Sequence, residues 1–368
     1  MFINFAALIA ALGPGAAAVI ANRARAPGSY LFNTLLPEET RFGYSVQSGN
    51  ITIRATMAGL VGMDSPYPPG GAIGSTSLQE QTAKIANEIP INEQTMRTLQ
   101  EMMLRLQVSQ APTNDVVLRQ LLNFVAKVIV QPHLDTAEWM RGRALQTGRL
   151  DWVMNGITLA VDYGVPTGNI LTVRSGNDAY GGSASKFHTD VREARRILKR
   201  IRAIIAHPTT IDEIRYNTVN NLVTIGESEG TVTLRRVTSD GIFTNDSQDV
   251  ITMIPYDLEA EVLDPAAPAT PQKLPFMDPG KLLFVAPNTV DGFAVNVDEG
   301  STEDPNRANR LGYTHVAPTV EGGGIPGRWA DLFTPQHEPY KVIGRGVTNL
   351  LPVLEAADKI VVAETDLA

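Results

Sequence analysis

One stretch limits what this chain can fold into more than any other: residues Asn114 to Gly168, an apolar-striped helix running into a tightly written β meander. Val117, Leu121, Phe124 and Val128 stand at i, i+4, i+7 and i+11, one helix face that has to be buried. Pro132 is expected to kink this helix rather than end it, because Leu134, Ala137, Met140 and Leu145 carry the stripe onward. Gly148 then stops it. Leu150–Met154 and Ile157–Asp162 read as strands around Asn155-Gly156, the strongest short hairpin signal. A spine this long beside a sheet makes a scaffold, and nothing in it suggests chemistry.

Composition agrees. The 368 residues can bury one large core or two moderate ones. A hydrophobic content of 43% excludes disorder, whereas 19% charged residues is low for a solitary monomer and points to burial between subunits. The net charge of −8 argues against general nucleic-acid binding, since phosphate affinity comes from excess Lys and Arg. With no cysteine, disulfides, thiol catalysis, zinc ribbons and iron–sulfur clusters are excluded, and intracellular folding is comfortable. Phe5–Ala21 resembles a signal-peptide core, but Arg23 and Arg25 lie behind it instead of a cation in front, and Gly13-Pro14-Gly15 cuts it. It reads as an arm that packs on a neighbouring subunit, with no membrane contact.

Asn50 to Glu93 behaves differently from the rest. Strand-like Ile51–Thr56 leads to a turn rich in Pro66, Pro68, Pro69, Gly70 and Gly71, then to a polar extended return ending at Ile89-Pro90-Ile91. Two strands alone are marginal in water, so this hairpin must lie on something else. Gln94–Gln107 follows as a short helix. Beyond the meander come a strand at Ile170–Val173, a Gly-rich loop at Ser175–Ser185 and a helix at Phe187–Arg202. A buried strand at Ala203–Ala206 precedes a helix at Pro208–Asn217 capped by Thr209 or Thr210. From Leu222 to Val297 the pattern is β, with a Pro-rich loop at Asp264–Pro275 and a strand at Lys281–Ala286. Acidic, Pro/Gly-rich Asp298–Pro326 precedes closing strands near Val342–Ile343 and at Ile360–Glu364. The class is α+β with mixed sheets.

Chemical motifs are few. Gly226-Glu227-Ser228-Glu229-Gly230 fits a nucleophile elbow, which would make Ser228 the serine of a hydrolase. That elbow needs a helix after the serine, and Thr231–Leu234 is strand-like instead. His133, His188, His207, His315 and His337 show no metal-ligand spacing, and Asp298, Glu299, Glu303 and Asp304 lack the pattern of a calcium loop. Gly322-Gly323-Gly324 and Gly181-Gly182 are not phosphate cradles. Arg192, Arg195, Arg196, Lys199, Arg200 and Arg202 crowd one helix, whose apolar side (Val191, Ala194, Leu198, Ile201) faces inward. Without interleaved aromatics, this basic face fits salt bridges to acidic loops of neighbours better than nucleic acid. The expectation is no enzyme, no metal and no cofactor.

The order of landmarks resembles the tailed-phage major capsid proteins of lambda type, which share the Hong Kong 97 capsid fold. Tyr30–Leu36 and Glu38–Tyr44 are similar to the family's lead-in, and Gly59–Gly71 to the entry of its extended loop. Leu145–Gly164 is similar to its post-spine meander, Ala203–Tyr216 to its axial strand–helix step, and Leu274–Pro287 to its strand after a Pro–Asp turn. Trp329, Tyr340–Ile343, Leu350–Leu354 and Asp358–Val362 follow its closing pattern.

The resemblance implies an N-terminal arm over residues 1–49, an extended loop over 50–93, and a peripheral domain with the spine over 94–189. It further implies an axial domain over 190–326, with residues 327–368 returning as strands to the peripheral domain. Hexamers and pentamers of the chain would then form an icosahedral shell around double-stranded DNA, held without sequence-specific contacts. Assembly in the host cytoplasm, a separate scaffolding protein, a portal and a decoration protein complete the expectation. The expected subunit contacts are Phe5, Leu8, Tyr30, Phe32, Met57, Tyr67, Lys84 and Ile89. Lys84, the sole lysine of the extended loop, is the one candidate for a crosslink, and otherwise a surface charge guarding an extended edge. An encapsulin-like shell of the same fold is the near alternative, and a Ser228 hydrolase the distant one.

Overall fold

The computed structural model describes residues 16–54, 72–91, 94, 97, 101, 123, 125–154, 157–220, 223–228, 231–236, 251–264, 267–286, 310–333 and 342–367. Helix α1 (Ala16–Arg23) starts directly after the Gly-Pro-Gly break and α2 is Leu31–Leu35. Strands β1 (Glu38–Thr40), β2 (Ser45–Arg54), β3 (Ala72–Gln81) and β4 (Ala83–Ile91) precede the spine helix α3 (Gln131–Thr147). A π-helical turn, Val125–Val130, leads into α3, with Pro132 in its first turn. Proline has no N–H and its ring would collide with the carbonyl four residues back, so a widened turn there lets the helical path continue. Leu134, Ala137, Met140 and Leu145 are all buried, as the stripe requires. Gly148 ends the helix with φ +66°, a left-handed cap that its missing Cβ makes easy.

Next come the hairpin β5 (Arg149–Met154) and β6 (Ile157–Asp162), then α4 (Phe187–Leu198), β7 (Ala203–Ala206) and α5 (Pro208–Tyr216). The segment expected as a strand at Ile170–Val173 makes only isolated bridges, Ile170 to Val362 and Arg174 to Thr365. The α4 helix stops at Leu198 because Lys199 turns left-handed, with φ +65°. The cap of α5 is His207, whose Nδ1 accepts from Thr209 N at 3.3 Å, rather than Thr209 or Thr210. Strands β8 (Val223–Ser228), β9 (Thr231–Arg236), β10 (Ile251–Pro255), β11 (Glu259–Asp264), β12 (Ala267–Pro275) and β13 (Lys281–Val285) follow. The expected Pro-rich loop is thus largely strand. Its prolines are tolerated because, among the described residues, β12 pairs with β11 alone and so is an edge strand. The last strands are β14 (Gly312–Ala317), β15 (Arg328–Phe333), β16 (Val342–Leu354) and β17 (Ile360–Glu364).

Two sheets organise these parts. In the first, β16 is central: β4 pairs antiparallel along one side, from Ile91–Val342 to Ala83–Leu350. On its other side β14 and β15 lie end to end, because Ala317 faces Asn349 and Arg328 faces the adjacent Thr348. They are one strand in effect, interrupted by an excursion over residues 318–327, and β1 adds parallel to β14. The second sheet has six strands in the order β17-β13-β7-β10-β9-β8. Successive side chains alternate in face. Ile204, Ala206, Leu282, Phe284, Val361 and Ala363 pack under α4 and α5, while Ile205, Leu283, Val285 and Val362 join the core built on α3 and the first sheet.

A neutral cluster of four charges locks that larger core. The fully buried Arg141 donates to Thr314 Oγ1 at 2.7 Å, Glu138 at 3.1 Å and Glu38 at 2.9 Å, and Arg328 also pairs with Glu38. Glu138 accepts from Phe32 N and Tyr256 OH, both at 2.7 Å. Burial pushes the Glu38 carboxyl up, but Arg328 and Arg141 outweigh it and hold the group below the usual carboxylate range. For Glu138 burial prevails over Arg141 and its hydrogen bonds, and its carboxyl is raised. Removing one partner from such a cluster leaves a buried charge uncompensated, typically at about 3–5 kcal/mol.

Candidate assembly surface

Enzyme-like motifs disperse in the fold. Ser228 ends β8 and faces Thr231 at the start of antiparallel β9, so a hairpin, not a strand-to-helix elbow, contains it. The strand-to-helix context that the hydrolase reading requires is thus not found at Ser228. Among the described residues no group of His, Asp and Glu is placed to hold a metal ion, and no helix is long and apolar enough to cross a membrane. His337 lies outside the described residues. The basic residues of α4 and its exit do line an exposed face, over buried Val191, Ala194, Leu198 and Ile201.

What remains is a surface for contact. Strands β2 and β3 pair with each other over ten residues, from Ser45–Gln81 to Arg54–Ala72. No third strand joins them among the described residues. Each therefore carries one open edge of backbone donors and acceptors.

The ribbon springs from one end of the first sheet. There the chain crosses the sheet, since Arg41 N donates to Val316 O, His315 Nε2 meets Gly43 O at 2.7 Å, and Thr82 N donates to Tyr44 O. Phe42 on this crossing is 80% exposed, and Tyr44 is exposed too. The neighbouring 318–327 excursion presents Val320 at 78% and Ile325 at 62% exposure. Its foot is held by the Pro318–Pro326 bridge and by Asn349 Nδ2 donating to Pro318 O at 2.5 Å. Four large apolar side chains thus stand exposed on the crossing and the excursion beside the root of the ribbon. Clustered exposure of this kind marks an interaction site. None of the four was singled out in the sequence, where a Gly-rich loop holding Val320 and Ile325 was the only available signal.

The sequence-derived contact residues separate into three groups. Phe5, Leu8, Met57 and Tyr67 lie outside the described residues. Tyr30 and Phe32 are corrections: both are buried in the chain's own core, where Phe32 packs edge-on against Tyr256 at 4.9 Å and Tyr30 against Phe276 at 5.7 Å. Their apolar character answers to α3 and the Tyr256 segment, not to another subunit. The part of the N-terminal run within the described residues is likewise docked on the chain itself, with Ala21 against Ile129, Val130 and Ala330. Lys84 and Ile89 sit on β4. Ile89 is half-buried opposite Gly344, and Lys84 reaches across β16 to Glu321 at 2.5 Å. That hydrogen bond lowers the Glu321 carboxyl.

Beneath β4, close approach replaces bulk. His133 Nε2 lies 2.8 Å from Asn87 Oδ1, and Asn87 Nδ2 donates to Ile129 O at 3.2 Å. Gly346 makes the space: a Cβ there would fall 2.5 Å from His133 Nε2 and 2.6 Å from Asn87 Oδ1. Burial lowers the imidazole to about 4, with Arg328 adding to the effect.

Comparison with protein-family models gave no match, and comparison with curated protein sequences gave none either. Solved structures do match. A protein described as a prophage capsid protein of Escherichia coli CFT073 is 13% identical, with 91% of this chain and 93% of that one covered and a TM-score of 0.51. A phage-related protein of Bordetella bronchiseptica RB50 is 12% identical over 95% of both chains, TM-score 0.46. A chain from Mycobacterium phage Patience is 9% identical, covering 100% of this chain and 89% of that one, TM-score 0.43. The first of these carries the assignment: the chain has the Hong Kong 97-like fold of phage capsid proteins.

Proposed function

We propose that this chain is the major capsid protein of a tailed bacteriophage of lambda type. In this reading hexamers and pentamers of it build the icosahedral head around double-stranded DNA. The observation that carries this is the β2–β3 ribbon, ten residues long in each strand and bonded only to itself among the described residues. A lone two-stranded ribbon is marginal in water. Its open edges and the exposed Phe42, Tyr44, Val320 and Ile325 at its root are all satisfied if the ribbon lies on a second copy. Phe5, Leu8, Met57 and Tyr67 belong to the same set of proposed contacts. The net charge of −8 suits a lumen along which packaged DNA moves without sticking.

The division into an N-terminal arm, extended loop, peripheral domain, axial domain and closing strands carries over as part of this proposal. So do a scaffolding protein, a portal and a decoration protein as partners, and a virion location after assembly in the host cytoplasm. Negative-stain electron microscopy with light scattering tests the core claim. Closed shells, or rings of five and six, are the expected result. Persistent monomers in lysates that also contain the neighbouring phage proteins would overturn it. Shells filled with a protein cargo instead of DNA would move the assignment to the encapsulin-like alternative.

A further inference from the structure

Two buried histidines hold the segment that carries the ribbon, one at its entry and one at its exit. His315 on β14 and His133 in the first turn of α3 are each 3% exposed. His315 Nε2 meets Gly43 O at 2.7 Å, just before β2 begins at Ser45. His133 Nε2 meets Asn87 Oδ1 at 2.8 Å on β4, the strand that follows β3.

These hydrogen bonds fix both tautomers. A carbonyl oxygen only accepts, so His315 carries its proton on Nε2. Asn87 Nδ2 donates to Ile129 O at 3.2 Å, which turns Oδ1 towards His133 and puts that ring's proton on Nε2 as well. Each Nδ1 is then the place for a second proton, and both Nδ1 atoms are buried with no hydrogen-bond partner. A proton added there becomes a buried charge without an acceptor. Facing His133 is Arg328 from β15, itself paired with Glu38 of β1. Facing His315 are Arg41 from the crossing and Glu39 from β1, and Glu39 is paired with both Arg41 and Arg310. Burial lowers both imidazoles. Arg328 reinforces it at His133, while at His315 the bond to Gly43 O and the Glu39 charge oppose burial and Arg41 without reversing them. The other ties of the crossing, Arg41 N to Val316 O and Thr82 N to Tyr44 O, join backbone groups that do not titrate. We propose that His133 and His315 form a paired, acid-sensitive clamp on the ribbon-bearing segment, closed while both rings are neutral. Acid opens it at the entry and at the exit. The clamp is a property of the single chain, so it goes beyond the shell reading and stands without it.

Hydrogen–deuterium exchange of the full-length chain at about pH 7 and about pH 4.5, corrected for the intrinsic exchange rate, tests the clamp. Protection over residues 41–46 and 83–91 is expected to fall about tenfold or more in acid, because the opened state takes up protons that the closed state refuses. Strands β7 and β13 of the second sheet should keep theirs. Glutamine keeps a donor and cannot charge. His315→Gln should therefore abolish the acid response over 41–46 alone, and His133→Gln over 83–91 alone. Equal loss of protection in β7 and β13 overturns the proposal, as does protection that survives acid at either end. So does an acid response that persists in both variants. The wild-type profile decides even where a variant fails to fold. None of these results bears on whether shells form, so the two readings fail separately.

Discussion

Residues 45–91 contain two kinds of β-structure that the chain builds from similar material. β4 lies along β16 for nine residues, and its Asn87 is tied to both His133 and Ile129 O on the spine side. β2 and β3 are each ten residues long, yet they pair with each other and with no further strand among the described residues. Among the described residues, one segment is a strand of the monomer's own sheet, and the other pairs only with itself. The stretch expected as one extended loop therefore divides: β4 belongs to the first sheet, and under the proposed function the part before Thr82 is what reaches a second copy.

The sharpest way to break this comparison is to delete the ribbon. Replacing Ser48–Leu78 with a short glycine-rich turn keeps the buried Val46 and all of β4. The monomer should unfold cooperatively with a midpoint near that of the full chain, while shells and rings disappear from light scattering and micrographs. Loss of cooperative folding would show that the ribbon supports its own monomer, and the distinction between the two segments would fall.

The sequence shows these segments unequally. The helical stripe through Leu134, Ala137, Met140 and Leu145 is legible because a period of 3.6 survives any partner. The hairpin at Asn155-Gly156 and the buried strand Ala203–Ala206 are legible for the same local reason. The docking of β4 is not. Its half-buried positions, Ala83, Ile85, Asn87 and Ile89, include a polar residue whose place makes sense only beside His133 and opposite Gly346. Tyr30 and Phe32 misled in the converse way, since their partners Phe276, Tyr256 and Glu138 lie far along the chain. The candidate surface is the least legible part. Phe42 and Val320 are unremarkable letters until the crossing at Gly43 and the excursion from β14 leave both in water.

A pH titration sharpens the β4 side. The folded imidazole of His133 sits at about 4, below its ordinary value of 6.5, so the folded state binds fewer protons than the unfolded one between these limits. Stability is then complete above about pH 7 and falls as the pH drops from 6.5 towards 4. At about pH 4.5 the loss should be about 2–3 kcal/mol in urea unfolding. The groups facing His133 are Asn87 from β4 and the Arg328 charge from β15, and neither titrates in this window. A His133→Gln variant, which keeps a donor and cannot charge, should show a clearly flatter dependence. An unchanged slope would detach β4 from this histidine.

Gly346→Ala tests the same contact by volume. The new methyl carbon would lie 2.5 Å from His133 Nε2, 2.6 Å from Asn87 Oδ1 and 2.8 Å from Ile129 Cγ2, so side chains of both α3 and β4 have to move. Overpacking of this kind costs about 1–3 kcal/mol. Amide exchange along residues 83–91 should accelerate, and protection of the β2–β3 ribbon should not change. Equal acceleration in both would mean that the ribbon and β4 open as one unit.

The smallest effect belongs to Lys84. It sits on β4 opposite Asn349, and its ammonium reaches Glu321 on the 318–327 excursion at 2.5 Å. The Lys84 side chain is 54% exposed, so solvent screens the pair and its worth is at most about 0–1 kcal/mol. Lys84→Ala should leave urea unfolding of the monomer within that margin at low salt and indistinguishable at high salt. Assembly can still respond, because Glu321 follows the exposed Val320 and Lys84 lies two residues beyond Thr82, whose N–H donates to Tyr44 O. If Lys84→Ala slows shell formation with monomer stability unchanged, the ion pair orients the excursion for contact with a second copy. If instead the monomer loses several kcal/mol, the pair belongs to the interior economy of β4 and β16, and the assembly surface begins beyond it.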